Sequence, residues 1–349
     1  MRSMKPRWAR ATGMTMTTIA SVFSARALRA AVALSAVAVV SVLGAGGVAS
    51  EGSPAPDQIW RSIFARPAAR AVDELEAKKQ ALGAMLFSDT RLSRDGDRSC
   101  ASCHRPESGY SDGLRQARGR DGTALKRNTP HLFNLAEGKA FYWDGREPTL
   151  ESQARVPLTA ENELAADWAR TLADLGADLD LRAKFAAAFA DGGVSEATVI
   201  AALAAYERSL VSPLTAFDRW VAGDEAALSE QESRGFRIFV GKGGCVGCHG
   251  GWRMTDDGFH DIGVDSDDPG RSAVAGGAAG IPAFKTPGLR QVSKTAPYMH
   301  NGSLATLEDV VAHYAGGHLK RPSLAPNLVR DLDLDAQERS ALVAFLKTL

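Results

Sequence analysis

Residues 100–104 read Cys-Ala-Ser-Cys-His, and residues 245–249 read Cys-Val-Gly-Cys-His. Together they use all four cysteines of the chain. C-x-x-C-H is the attachment signature of c-type haem: the two thiols form thioethers to the porphyrin edge and the adjacent imidazole reaches the iron. Four cysteines in an exported chain would otherwise suggest two disulfides. Two copies of one spacing, with no cysteine to spare, leave little room for disulfides or zinc. The expectation is two covalent haems, with His104 and His249 as their first axial ligands.

The flanks repeat as well. ALGAMLFSDTRLSRDGDRS precedes the first motif and SRGFRIFVGKGG precedes the second. In each, a glycine is followed four residues later by phenylalanine, Gly83 to Phe87 and Gly235 to Phe239. Each run reads as an amphipathic helix leading into a haem loop. Further on, SEATVIAALAAYERSL from Ser195 has an N-cap residue and apolar positions at helical spacing. LDAQERSALVAFLKTL closes the chain, with Asp335 and Glu338 placed for a capping box. Residues 256–281, rich in Gly, Ser and Asp, read as loops. No long alternating strand pattern occurs. The expected fold is mainly α, with two cytochrome c-like domains at about 73–222 and 223–349.

The first fifty residues differ from the rest. They carry six basic side chains (Arg2, Lys5, Arg7, Arg10, Arg26 and Arg29) and no acid. An apolar run from Ala30 to Leu43 and then small residues follow, the order of a secretory signal peptide over 1–50. A run of fourteen residues, two of them serine, falls short of a bilayer span of roughly 20 residues. Export to the periplasm is expected, without stable membrane insertion once the segment is removed. The whole chain balances 41 basic against 41 acidic residues, so the remainder holds 35 against 41, a net charge of −6. That balance argues against nucleic acid as a partner, because phosphate binding needs basic patches.

Taken with these motifs, the blocks RNTPHLFNLA, FYWDGREPTLESQA, FHDIGV, FKTPGLRQV and TAPYMHNGSLATLEDVVAHY resemble the bacterial dihaem cytochrome c peroxidase and MauG superfamily. The resemblance runs over nearly all of the chain after the N-terminal segment. It implies an open N-terminal haem that meets hydrogen peroxide and a six-coordinate C-terminal haem that exchanges electrons. By the same resemblance Trp143 lies between the haems, and Gln153, Pro157 and Glu163 form the distal pocket of the first. A carboxylate over a vacant iron position can take a proton from one peroxide oxygen and deliver it to the other. Glu163 is assigned that task, and nearby Glu161 is expected at the surface. Asn128, with the backbone carbonyls of Thr295 and Pro297, matches a calcium site, and such oxygens suit this hard cation.

Two departures from the pattern bear on function. The loop after the first motif, residues 105–128, contains no histidine to block the open haem, and His131 lies in a segment expected to pack. Ahead of the second motif, where MauG carries a tryptophan, this chain has Gly243 and Gly244, with Trp252 following instead.

Four residues near the C-terminus could complete the second iron: Met299, His300, His313 and Tyr314. Thr306 and Asp309 predict a helix from Leu307 to Gly316-Gly317, with Leu307, Val310, Val311 and Tyr314 on one buried stripe. His313 should turn roughly 100° away. Periodicity alone makes Tyr314 a core aromatic. The resemblance implies the axial position there, Met in peroxidases and Tyr in MauG-like members. Met299 is expected to pack and His300 to sit near haem propionates.

The expected function is a dihaem peroxidase fed by an external donor, a small cytochrome c or a cupredoxin. The alternatives are a MauG-like enzyme that oxidises a residue of a partner protein, and a non-catalytic electron-transfer cytochrome.

Overall fold

Two pairs of crossing helices organise the chain, and each pair is pinned at one of the glycines that precede a C-x-x-C-H motif. The computed structural model describes residues 56–274, 280–328 and 331–349. The export segment expected over 1–50 lies outside the described residues. The helices are α1 (Pro56–Phe64), α2 (Glu74–Phe87), α3 (Leu150–Thr159), α4 (Trp168–Ala177), α5 (Leu179–Ala188), α6 (Glu196–Ser209), α7 (Ala216–Val221), α8 (Glu230–Val240), α9 (Leu307–Ala312) and α10 (Ala336–Leu346). Among the described residues the named strands are β1 (Phe259–His260) and β2 (Phe284–Lys285), paired antiparallel. The fold is mainly α, and no described helix is long and apolar enough to cross a membrane.

Capping sets where the helices begin. Ser195 accepts from the Thr198 amide at the start of α6. At α10, Asp335 accepts from the Glu338 amide at 2.8 Å, while the Glu338 carboxylate accepts from the Asp335 amide at 3.0 Å. Each reciprocal box satisfies amides that have no partner within the helix.

Helix α2 packs on α6, and α8 packs on α10. At the first crossing a Cβ on Gly83 would run into the backbone carbonyl of Ala202; at the second, a Cβ on Gly235 would run into that of Ala341. The two glycines are therefore equivalent points of backbone contact, which is why the repeat shows them. The phenylalanines four residues on point into the two cores. Phe87 joins Leu82, Leu86, Phe185 and Leu203. Phe239 joins Phe217, Trp220, Phe236 and Phe345. Fully burying one such ring is worth about 1.5–3 kcal/mol. Phe64 of α1 and Phe217 and Trp220 of α7 pack in the second core, so the chain enters it before and after building the first.

Helix α9 starts at its Thr306–Asp309 box as the spacing predicts. Its end differs: regular α geometry stops at Ala312, and a widened turn over His313–Gly317 follows, with Gly316 at φ +117°. His313 also departs from expectation. It is buried, not turned outward, and its Nε2 bonds the Ile262 carbonyl at 2.8 Å. The loop 261–263 covers the turn that follows α9, while Glu308, Asp309 and Ala312 of the helix stay exposed.

Candidate functional site

Each C-x-x-C-H segment folds as a tight turn. In the first, the amides of Cys103 and His104 both donate to the Cys100 carbonyl, at 3.1 and 2.9 Å; in the second, those of Cys248 and His249 donate to the Cys245 carbonyl, at 3.2 and 2.9 Å. The imidazoles are then oriented from behind. His104 Nδ1 bonds the Tyr110 carbonyl at 2.8 Å, and His249 Nδ1 bonds the Met254 carbonyl at 2.9 Å. A carbonyl partner fixes Nδ1 as the protonated nitrogen and leaves Nε2 free for a metal. Burial lowers the pKa of both rings, which keeps them in the neutral form that ligation needs. Tyr110 and Met254 have positive φ, +63° and +57°, and this backbone geometry aims their carbonyls. No sequence signal marks them, since neither is glycine.

Both motifs open onto one cavity of about 1210 Å³. Its walls carry the four cysteines, His104, His249, Trp143, Gln153, Pro157, Glu163, Tyr314, Asn128, Thr295 and Pro297. Glu161 and His313 are not on its walls, whereas Met299, His300 and His131 are. No disulfide joins the four cysteines, and burial pushes the thiols of Cys100 and Cys245 up to about 12, unlike the low-pKa setting of a reactive dithiol. Gln153 Oε1 and Glu207 Oε2 are buried without a hydrogen-bond partner. Paired cysteines outside any disulfide, oriented neutral imidazoles and unsatisfied polar atoms around one large apolar space suit two covalently held porphyrins.

The first half of the cavity separates the two candidate carboxylates. Glu161 is turned outward, its side chain 74% exposed and paired with Arg94 at 2.7 Å. Glu163 faces inward, where burial raises its pKa against the opposing field of Arg146. Tyr142, at φ +68°, covers this pocket with its ring under the Arg146 guanidinium at 3.5 Å. Glu207 also lies on this wall, a residue to which neither motif nor resemblance assigns a role. Its signal was legible: a carboxylate four residues after Leu203 on the apolar stripe of α6.

Trp143 sits in a loop held by both halves. Its indole Nε1 donates to the Asn128 carbonyl at 2.9 Å, and its own carbonyl accepts from the Lys285 amide of β2 at 2.7 Å. Phe259 of β1 packs where a side chain on Gly145 would stand. Arg271 donates to the carbonyls of Asp144 and Gly145 at 3.0 and 2.7 Å. Arg127 joins Asp144 at 2.6 Å to Asp268 at 2.7 and 2.9 Å.

Around the second motif, Tyr314 reaches the cavity wall beside the thiols. Burial and the nearby Cys245 and Cys248 raise its pKa well above that of a free phenol. His300 stacks on Phe284 at 3.6 Å and bonds Ser266 Oγ at 3.2 Å. His131 is held by backbone on both nitrogens: Nε2 bonds the Gly288 carbonyl at 3.1 Å and Nδ1 accepts from the Phe133 amide at 3.3 Å. The side-chain Nδ2 of Asn128 donates to the Leu114 carbonyl at 2.8 Å. Trp252 lies outside the cavity, with its indole donating to Glu137 at 3.0 Å.

Comparison with known proteins gives a consistent set of likenesses. The profile of the family described as di-haem cytochrome c peroxidase matches residues 77–226. The methylamine utilization protein MauG of Methylorubrum extorquens is 46% identical over 279 residues, covering 79% of each chain. The cytochrome c551 peroxidase of Nitrosomonas europaea is 34% identical over 286 residues, covering 80% of this chain and 82% of its own. Among solved structures, a MauG-like protein associated with microbial copper homeostasis superposes with a TM-score of 0.72 at 33% identity, covering 82% of this chain and 92% of that one. The diheme peroxidase BthA from Burkholderia thailandensis gives 0.67 at 25% identity, with coverages of 81% and 87%.

Proposed function

Because this chain belongs to the dihaem cytochrome c peroxidase and MauG family, and is thereby an oxidoreductase that acts on peroxide through two c-type haems in two cytochrome c-like halves, we propose that it reduces hydrogen peroxide at the Cys100–His104 site. Electrons would come from an external donor through the Cys245–His249 site. The observation that carries the reading is the single cavity joining both motifs with Trp143 on its wall. The haems, when attached, supply the iron at which the O–O bond is cleaved and the redox equivalents are held.

The protein's own part is proton handling and positioning. Reduction of H2O2 to two waters consumes two electrons and two protons. Glu163 takes the proton from the oxygen nearer the first site and returns it to the departing one, so that the leaving group is water rather than hydroxide. Gln153 and Pro157, one turn apart on α3, bound the space in which the peroxide lies. Trp143, fixed by Asn128 and Lys285, offers an aromatic stop between the two sites. Tyr314 would serve as the second ligand of that haem's iron. A calcium ion would be held by the oxygens of Asn128, Thr295 and Pro297, which share the cavity wall. We assign the first haem to a domain at 73–222, whose last helix α7 packs in the second core, the second haem to a domain at 223–349, and the mature protein to the periplasm.

A second reading is favoured by one observation, the placement of Tyr314 beside Cys245 and Cys248. A phenolate donor favours oxidised iron, whereas methionine raises the potential. That suits an enzyme which withdraws electrons from a side chain of a partner protein in the manner of MauG. One experiment separates the readings. The oxidised protein is mixed rapidly with hydrogen peroxide, then with reduced small cytochrome c or cupredoxin. A peroxidase oxidises that donor catalytically. A MauG-like enzyme turns it over poorly and needs a protein substrate, and an electron carrier leaves the peroxide unreacted.

A further inference from the structure

The first half of the cavity holds a carboxyl group that the scheme above does not use. Glu207 is 6% exposed, lies on the cavity wall, and has its Oε2 buried with no hydrogen-bond partner. It stands close enough to Cys100 for its charge to raise that thiol's pKa. Among the described residues no cation pairs with it, and the field of Arg208, which opposes the effect of burial, is itself countered by Glu151. Its neighbour Arg208 directs its guanidinium to Glu151 of α3 at 2.5 Å, and Arg155 of α3 pairs with Glu196 at 2.7 Å. On α2, Lys78 pairs with Glu74 and Lys79 lies over the Phe189 ring, while Gly83 makes the contact with α6. Glu137, in the segment 135–137 packed on α6, turns to Trp252.

We propose that Glu207 compensates charge at the first attachment site, its carboxylate taking up one proton when an electron arrives there and releasing it when the electron leaves. The inference rests on the reading that a haem is attached through Cys100 and Cys103. The physical argument is short. An ionised carboxylate in an apolar wall without a counterion is expensive, so the group favours its neutral acid form. Burial moves its titration up to about 8, which puts both forms within reach near neutral pH. A negative charge added to a nearby redox centre in a low-dielectric interior disfavours a second one on the carboxylate. Electron arrival therefore draws a proton from solvent onto Glu207, and electron loss sends it back. The electron comes from the donor, and the two electrons and two protons of each turnover leave as water. Glu207 is a positioning residue for charge: it acts on the first site through the field and touches no peroxide.

The test is the reduction potential of the first haem as a function of pH in the purified dihaem protein. In the wild type the reduction equilibrium should fall by up to about tenfold per pH unit between the titration points of the oxidised and reduced forms, and be flat on either side. Glu207→Gln should flatten that dependence while the second haem keeps its own profile. Glu207→Asp should keep the slope in a shifted window. A slope that survives in Glu207→Gln belongs to another group and overturns the proposal, as does a flat wild-type profile. Redox-difference infrared spectra of the wild type supply a check independent of any variant: a protonated carboxyl band should appear on reduction of the first haem, and its absence is fatal. Absorption of the denatured protein counts attached haems. Fewer than two would undo the attachment reading itself, whereas two haems with no proton coupling would undo only the role of Glu207.

Discussion

The indole nitrogen of Trp143 donates to the backbone carbonyl of Asn128 at 2.9 Å, while the Trp143 carbonyl accepts from the Lys285 amide at 2.7 Å. One residue is thus tied to the segment after the first motif and to the strand after the second. Trp143→Phe removes the first tie and the electron-rich indole together. The lost hydrogen bond should cost about 1 kcal/mol in stability. Peroxide turnover should fall by more than that loss accounts for, with both haems still attached. Stopped-flow rates of electron exchange between the two haems check it; unchanged rates would remove Trp143 from the path.

Glu163 and Glu161 are two residues apart and face opposite ways, one into the cavity and one to Arg94. Glu163→Gln should reduce kcat/KM for peroxide by about 10²–10⁴-fold, and Glu161→Gln should leave it near wild type. Burial raises the Glu163 pKa, and the group must be ionised to accept the first proton. Activity should therefore fall as pH drops through a value above that of an ordinary glutamate. Steady-state pH profiles of the wild type locate that limb, and the remaining Glu163→Gln activity should lack it.

Gly83 and Gly235 mark the two helix crossings. Gly83→Ala must separate α2 from α6, and Gly235→Ala must separate α8 from α10. Each overpacking substitution should cost about 1–3 kcal/mol or more. Thermal or denaturant unfolding of the haem-loaded protein measures it, and the same change at Gly176 of α4, where a side chain meets open space at a negative φ, should cost nothing.

Asp268 and Arg127 clamp the Trp143 loop across the halves. Burial alone would raise the Asp268 pKa, but the Arg127 hydrogen bonds and the Gly270 amide outweigh it, and the group comes down to about 2. A carboxyl with a depressed folded-state pKa stabilises the protein above its unfolded value of about 3.9. That contribution is lost as pH falls from there through about 2. Asp268→Asn should therefore be less stable than wild type at neutral pH, with the difference shrinking across that acid window. Urea midpoints measured at several pH values would show it.

Tyr314→Phe should alter the resting absorption and electron paramagnetic resonance of the second haem alone. Tyr314→Met should raise its potential, since a thioether favours reduced iron more than a phenolate does. If neither variant moves the spectrum, another cavity residue such as Met299 holds that iron.

Short-range features were legible because they are properties of neighbouring residues along one backbone. The helix starts at Ser195, Thr306 and Asp335 follow from capping chemistry within four residues. The C-x-x-C-H spacing carries its own reading for a similar reason: two thiols and an imidazole within five residues must lie near one another. The Gly–Phe repeat could be seen, but not understood. Its cause is the backbone of Ala202 and of Ala341, more than a hundred residues away in each case.

The amino-acid order by itself determined what each segment can do: which turns gather thiols beside an imidazole, which stretches coil, and which side chains can move a proton or hold a metal. Only the tertiary structure decided which of them do so in company. It buried His313 under the loop at Ile262, sent Arg208 to Glu151 and so left Glu207 without an ion-pair partner among the described residues, and put the Tyr110 and Met254 carbonyls behind the two imidazoles. Burial and electrostatic partnership are set by whatever distant chain fills the adjacent space, and no local pattern encodes that.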